Sequence, residues 1–242
     1  MNNTTMSYTS WRQKTGMVGT ILLAIGLAGC ASQGDMTPDL ANMNILRPSP
    51  DLPPQVVYRI DDHRYVSLEN YDSCYGDHYY VDTRLGLHTK IWTDNLSEYR
   101  GRLVNADPTG MNIVIPSAPA ITCRDKGCNV RLAYSTDAGR SFKYKQYMHS
   151  FYPTKDSENY SVLVAQDGFY VVKTHEYAKG KIDNRVTKFP LASGIDLEKP
   201  YPNGLHDEYL SNKPLPPLHT PSGQERLSCD ATIRPSSLPQ AK

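Results

Sequence analysis

Neither charge sign dominates the 242-residue chain, because 26 Lys and Arg residues stand against 25 Asp and Glu residues. A chain without excess positive charge lacks the electrostatic attraction on which nucleic-acid binding depends, so nucleic acid is not an expected partner. Phenylalanine (4) and tryptophan (2) are scarce, whereas tyrosine (17) is abundant. With 39% apolar residues the chain can still bury a core, and this polar, tyrosine-rich composition suggests a secreted β-rich domain.

Long apolar runs are also lacking, apart from one at residues 17–27 that follows two basic residues. As a helix this run spans about 16 Å, against a hydrocarbon core of roughly 30 Å, so it predicts a cleaved signal. It ends in Leu27-Ala28-Gly29-Cys30, which resembles the bacterial lipobox, whose cysteine is acylated and becomes the first residue of the mature protein. We therefore expect a signal peptide at residues 1–29 and a lipid on Cys30.

The residues after Cys30 predict where the protein is anchored. Ala31 and Ser32 follow the cysteine, whereas the usual inner-membrane retention signal resembles an Asp at the second position. We expect a lipid anchor in the outer membrane and a body that faces the periplasm. Two alternatives remain: an ordinary secretory signal with a chance cysteine at its end, and an internal start at Met36 or Met43 that gives an unlipidated cytosolic form.

Prolines mark the organisation of the mature chain. Fourteen of the 18 prolines lie in the two flanks, within residues 31–54 and 190–242. Residues 30–54 are expected to form a flexible tether between lipid and body. Residues 55–242 are expected to form a single β-rich domain, whose proline-rich segment 190–242 is tied back by a disulfide.

Strand-like alternation recurs along the body of the chain. Residues 56–60, 130–134 and 142–145 follow a period of two. The β-branched runs 161–165 and 169–172 flank Gln166-Asp167-Gly168 and predict a hairpin. Further strands are expected at 79–81 and 111–115, and one short helix around Asp94–Leu103. The pattern predicts an all-β fold of antiparallel sheets with few short helices, packed as a sandwich or as a partial propeller.

Residues 135–142, Ser-Thr-Asp-Ala-Gly-Arg-Ser-Phe, resemble the Asp-box hairpin of sialidase-like propellers at all five specified positions. Beside Ser135, Asp137 is expected to accept hydrogen bonds from the turn, Gly139 to adopt a positive φ, and Phe142 to return the chain to the core. In that family the box usually lies away from the catalytic centre. The match therefore predicts a structural hairpin, and a single box in so short a body does not support a sialidase.

Four cysteines follow Cys30, an even number that predicts two disulfides in an oxidising compartment. Three pairings are possible. The short spacing of Cys123 and Cys128 favours a local pair, which leaves Cys74 with Cys229. No cysteine pair has zinc-ligand spacing together with a matching second pair, so no metal site is expected.

Catalytic motifs are also missing from the sequence. It contains no Gly-x-Ser-x-Gly elbow, phosphate loop or dinucleotide fingerprint, and no two of its seven histidines have metalloprotease spacing. Asp61-Asp62-His63 is a possible acid/base cluster, although acids at such a position are more often part of a solvated turn. We expect a non-enzyme that has no catalytic residues and needs no cofactor.

Six tyrosines lie close together in sequence: Tyr58, Tyr65, Tyr71, Tyr75, Tyr79 and Tyr80. They fit an aromatic contact face. They are more typical of side chains that are half-buried on a sheet surface and keep the hydroxyl group at solvent.

The lipobox, the tether and the segments Pro54–Ile60 and Tyr65–Gly76 together resemble the periplasmic immunity lipoproteins that are paired with type VI secretion lipase effectors. The resemblance implies a protein that binds a cognate lipase effector, blocks it, and is held at the membrane through its lipid. It identifies no contact residue. The alternatives are an envelope lipoprotein that binds glycan or peptidoglycan through its tyrosines, and a structural subunit of an envelope machine.

Overall fold

The computed structural model describes residues 51–120, 123, 125–202, 204–211 and 213–235. The predicted signal peptide, Cys30 and the tether as far as residue 50 lie outside the described residues. Of the described residues, 46% lie in strands and 4% in helices. The predicted mainly-β class is therefore confirmed.

The described strands are two to eleven residues long. In chain order they are β1 Gln55–Arg59, β2 Arg64–Asp72, β3 Tyr75–Asp82, β4 Leu87–Asp94, β5 Arg102–Asn105, β6 Ile113–Pro116, β7 Cys128–Ser135, β8 Lys143–Ser150, β9 Tyr160–Ala165, β10 Gly168–Ala178, β11 Lys181–Pro190 and β12 Glu208–Tyr209. Helix α1 spans Pro153–Ser157, and a 3-10 turn spans Leu96–Glu98. The helix predicted around Asp94–Leu103 is reduced to that single turn, because the chain is already extended in β5 from Arg102 onward.

Three sheets make up the described fold. The strand orders are β1-β2-β3-β4, β6-β7-β8 and β12-β11-β10-β9-β5. The predicted hairpin is present, with Val164 of β9 opposite Phe169 of β10. Among the described strands, the pairing departs from the expected antiparallel pattern only at β5 and β9, which run parallel with Leu103 opposite Val162.

One apolar core is shared by all three sheets. Tyr58 and Leu68 from the first sheet, Leu132 from the second and Leu103 and Phe169 from the third are all fully buried in it. Because alternate residues of a strand point to opposite faces, each sheet turns one set of side chains to this core.

The proline-rich C-terminal segment lies between the edge strands of two sheets. The backbone amides of Ser222 and Ser228 donate to the carbonyl oxygens of Ile60 and Val57, while Leu103 of β5 donates to the carbonyl of Glu225. The segment also carries Cys229, which forms a disulfide with Cys74. It therefore holds the first and third sheets together. No helix in the described part of the chain is long and apolar enough to cross a membrane.

Candidate functional site

Six connecting segments lie together at one end of the domain. They are residues 60–63, 83–86, 106–112, 136–142, 166–167 and 191–194, and we call this surface the loop face. The first five are the β1–β2, β3–β4, β5–β6, β7–β8 and β9–β10 connections, and the sixth follows β11. They meet because β1, β3, β5, β7 and β9 all end at this side of the core, whereas the β2–β3 turn and helix α1 lie at the other end.

Hydrogen bonds between these segments hold the loop face together. Each joins a backbone or side-chain group of one segment to the next: Thr83 N to His63 O, Ala138 N to Met111 O, Asn112 Nδ2 to Gln166 O, Leu191 N to Asp167 O and Gly194 N to Thr136 Oγ1. Their lengths run from 2.8 to 3.2 Å. The bonds thus join segment 60–63 to segment 83–86 and, as a second set, join segments 106–112, 136–142, 166–167 and 191–194 to one another, so each segment is held by at least one other.

A cleft of about 380 Å³ opens on the loop face between the β1–β2, β3–β4, β5–β6 and β7–β8 connections. A second cleft of about 260 Å³ adjoins it, since Thr109 lines both. Loops held by a rigid scaffold are where binding residues concentrate. The loop face is accordingly a concave surface suited to a partner.

Asp61, Asp62 and His63 lie at the edge of the larger cleft, and their oxygen and nitrogen atoms come within 4.8 Å of one another. Both carboxylates already have cationic partners. Asp61 Oδ2 lies 2.7 Å from Arg64 Nε, and Asp62 Oδ2 lies 2.7 Å from Arg84 Nη2. The three residues thus build the β1–β2 turn, which favours the turn interpretation over an acid/base pair.

Hydrogen bonds keep both carboxyl groups ionised. Burial would raise the pKa of Asp61, but the backbone amides of His63 and Arg64 and the Arg64 guanidinium donate to it and hold its pKa below the usual range. The His63 ring and then the Arg84 guanidinium likewise lower the pKa of Asp62. Of the described residues this is the group that could offer ligands to a cation, yet its carboxylates are occupied by arginines.

The Asp-box residues form the β7–β8 turn of the loop face. Asp137 Oδ1 accepts from the Ser141 amide at 3.0 Å and from the Ser135 hydroxyl at 2.7 Å. Burial would raise the pKa of Asp137, but the hydroxyl groups of Ser141 and Ser135 outweigh it and lower that pKa. Gly139 has φ +82°, and Phe142 packs edge-on against Tyr80 with ring centroids 6.0 Å apart. These interactions fix the turn and offer no reactive group.

The apolar tips of the loop face were not identified from the sequence. Leu85 is 48% exposed and Met111 is 42% exposed. Each precedes or follows a glycine with positive φ, Gly86 and Gly110. The glycines signal turns in the sequence, but whether the neighbouring apolar side chain points inward or outward depends on the packing of the whole domain.

The tyrosine-rich region does not form a contact face. Tyr58, Tyr71 and Tyr80 are fully buried. The Tyr58 hydroxyl lies 2.8 Å from Thr220 Oγ1 inside the core. For these three tyrosines both interpretations of the sequence are wrong, the aromatic contact face as well as the half-buried position on a sheet surface. The C-terminal segment and the neighbouring sheets cover them. Tyr65, Tyr75 and Tyr79 are half-buried, as the preferred interpretation expects.

The end opposite the loop face carries both disulfides. Cys74 pairs with Cys229 and Cys123 pairs with Cys128, which are the pairs that the spacing favoured. The outer part of the β10–β11 hairpin, residues 174–184, also extends at this end beyond the last β9 pairing at Lys173. We call it the hairpin arm. Its side chains Tyr177 and Ile182 are each 63% exposed.

Comparison with known families places part of the chain in a family. The model of the family described as T6SS Tli3 immunity protein matches residues 50–173, just over half of the chain. This range contains the whole loop face except residues 191–194. No curated protein matches the chain.

Proposed function

Because the chain belongs to the T6SS Tli3 immunity protein family, and is therefore an immunity protein against a type VI secretion effector, we propose that it neutralises a lipase effector in the periplasm while held by a lipid on Cys30. The observation that carries the proposal is the family match over residues 50–173. The lipobox and the resemblance to lipase-immunity lipoproteins support its finer parts.

Inhibition here means binding rather than chemistry, as membership of an immunity family suggests. The acids of the β1–β2 turn are bonded to Arg64 and Arg84, so they serve the fold of the loop face. A preformed concave surface suits an inhibitor, since a surface that is already ordered loses little conformational entropy on binding. Burial of Tyr58, Tyr71 and Tyr80 takes three of the six clustered tyrosines out of the glycan-binding alternative.

A lipid anchor gives such an inhibitor a physical advantage. A lipase attacks phospholipid at the membrane surface, and tethering confines the inhibitor to the same layer, which raises its effective concentration there. The described chain begins at the end of the domain opposite the loop face, because Pro53 accepts a hydrogen bond from Tyr71 and Gln55 bonds to Asp230 beside Cys229. An anchor joined to the domain at this end would be attached on the side opposite the loop face.

The test is protection of a susceptible bacterium that exports one effector to its periplasm. The full chain is co-expressed with a type VI lipase effector of the source strain or with a peptidoglycan amidase effector. We expect growth to be restored against the lipase alone, with phospholipid hydrolysis by the purified lipase falling to zero at one equivalent of the oxidised mature protein. Protection against the amidase but not the lipase would overturn the lipase assignment and leave the immunity family intact.

Localisation needs its own measurement. Cys30→Ser keeps the signal run but removes the acylation site. We expect the wild-type chain in the outer-membrane fraction and the variant absent from that fraction, with weaker protection at equal abundance. Wild-type chain found in the soluble fraction would contradict the anchor.

A further inference from the structure

The loop face carries exposed apolar tips, and its carboxylates are bonded within the protein. Leu85 and Met111 are about half exposed, at 48% and 42%, and Pro108 between them in the chain is also exposed. Exposed apolar side chains beside a cleft are typical of a protein-binding site. The loop face therefore differs from an ordinary solvated loop surface.

The acidic groups of the loop face are occupied within the protein. Besides the arginine-bonded Asp61 and Asp62, Asp82 Oδ1 accepts from the amides of Arg84 and Leu85 at 2.9 and 3.0 Å. Asp107 accepts from Thr109 and from the Asn112 amide. When a partner covers these carboxylates, they keep their hydrogen bonds within the protein. The surface can therefore take an apolar contact without leaving a buried carboxylate unsatisfied.

The hairpin arm is the rival apolar surface, and its construction is weaker. Beyond Lys173 the arm is a two-stranded ribbon with no third strand among the described residues. Such a ribbon is only marginally ordered without a partner. In the loop face, by contrast, each segment is bonded to at least one other segment, and the surface lies almost entirely within the family-matched range.

We propose that Leu85 and Met111 dock against the apolar rim of the lipase's acyl-chain entrance and close it to phospholipid. The inference rests on the proposed function, namely that the target is a lipase. An enzyme that draws acyl chains out of a bilayer must present apolar surface at its entrance. That rim is complementary to a surface of apolar tips whose carboxylates are bonded within the protein.

The test measures binding of the oxidised mature protein to a type VI lipase effector of the source strain whose nucleophile has been removed, by isothermal titration calorimetry. Leu85→Asp and Met111→Asp place a charge at each tip without disturbing a buried side chain. We expect Kd to rise about tenfold for each variant and about a hundredfold for the pair, as for central residues of an interface. Thermal unfolding within about 2 °C of wild type establishes that the variants are folded.

Tyr177→Asp and Ile182→Asp on the hairpin arm are the matched controls, since both positions are exposed and apolar and lie at the other end of the domain. We expect both to bind within about threefold of wild type. Loss of binding in these variants, or a loop-face pair that binds as wild type does, would overturn the inference.

Two further outcomes separate this inference from its premise. If the wild-type protein binds no lipase, the proposed function fails and the docking inference fails with it. If wild-type protein alone sediments with vesicles of phosphatidylethanolamine and phosphatidylglycerol, and the loop-face pair does not, the apolar tips bind membrane and the lipase-docking inference is wrong.

Discussion

Gly139 of the Asp-box turn lies directly against the ring of Tyr80, which belongs to a different sheet. A Cβ atom at position 139 would fall closer to Tyr80 Cε1 and Cδ1 than any van der Waals contact allows. Phe142 meets the same ring edge-on. The β7–β8 turn therefore does more than close a hairpin: it fastens the second sheet to strand β3 of the first beneath the loop face.

We expect Gly139→Ala to destabilise the protein strongly. Alanine loses about 1–2 kcal/mol in a left-handed conformation, and the clash with Tyr80 adds roughly 1–3 kcal/mol of overpacking. Gly180→Ala is the matched control, because Gly180 has φ +77° and a Cβ added there would meet no atom within 4 Å. Guanidinium unfolding of both variants measures the difference, and equal losses would show that the Tyr80 contact is unimportant.

His78 is a buried histidine that makes stability depend on pH. It is fully buried in β3, and neither ring nitrogen has a hydrogen-bond partner among the described residues. Burial lowers the pKa of His78 from 6.5 to about 4. The unfolded chain therefore binds this proton at higher pH than the folded chain. The contribution of the neutral, buried His78 to the free energy of unfolding is complete above pH 6.5 and is lost as the pH falls towards 4. For a pKa shift of this size the loss is about 3 kcal/mol.

We expect His78→Leu to remove this part of the pH dependence. The free energy of unfolding, measured by urea at pH 7, 6, 5 and 4, should fall less steeply between pH 6.5 and 4 in the variant than in the wild type. His175→Asn replaces an exposed histidine on the hairpin arm and shows the effect of losing a histidine from the surface. A wild-type slope unchanged by His78→Leu would contradict the assignment.

Local patterns predicted the elements whose two faces differ clearly. The alternation at Val56–Ile60 and Val130–Tyr134 gave β1 and β7, and the β-branched runs gave the β9–β10 hairpin. Strand β11, Lys181–Pro190, was missed because its first half lies in the hairpin arm, where both faces are exposed and no apolar alternation is required. The parallel pairing of β5 with β9 joins residues about 60 positions apart, and no local signal specifies it.

The candidate site was predictable only in part. The Asp-box was visible because its hydrogen bonds are made within eight residues. The loop face was not, because it depends on the order of the strands, which brings six distant connections to one end. Leu85 looks like an ordinary apolar residue in the sequence. Its exposure follows from the Asp82-capped turn, which turns the side chain away from the core.

The two disulfides should differ in what they contribute to stability. Cys74–Cys229 closes a separation of 155 residues, and Cys123–Cys128 closes a separation of 5. The chain-entropy model gives about 5 kcal/mol for the first and about 2 kcal/mol for the second. Paired Cys→Ala variants of each bridge, compared by guanidinium unfolding, should show this order. A larger loss from the short bridge would indicate that its contacts, rather than loop closure, set its value.

The side chain of Asn105, at the end of β5, makes hydrogen bonds to β6 like those of a neighbouring strand. It thereby joins the third sheet to the second. The side chain is buried, with Nδ2 donating to the Val114 carbonyl at 3.0 Å and Oδ1 accepting from the Val114 amide at 2.9 Å. An aspartate at this position can still accept from the amide, but it sets an oxygen against the carbonyl and leaves that acceptor unsatisfied. We expect Asn105→Asp to cost about 3 kcal/mol at neutral pH, since a buried charge and a lost hydrogen bond both oppose folding.

Asn184→Asp is the control. Asn184 accepts a hydrogen bond from Thr174 on the exposed hairpin arm, so this variant should change stability by less than about 0.5 kcal/mol. Because a protonated aspartate can donate to the Val114 carbonyl, the loss at position 105 should shrink as the pH is lowered. Urea unfolding at two pH values checks this, and a loss that grows in acid would mean that Asn105 does not bridge the sheets in this way.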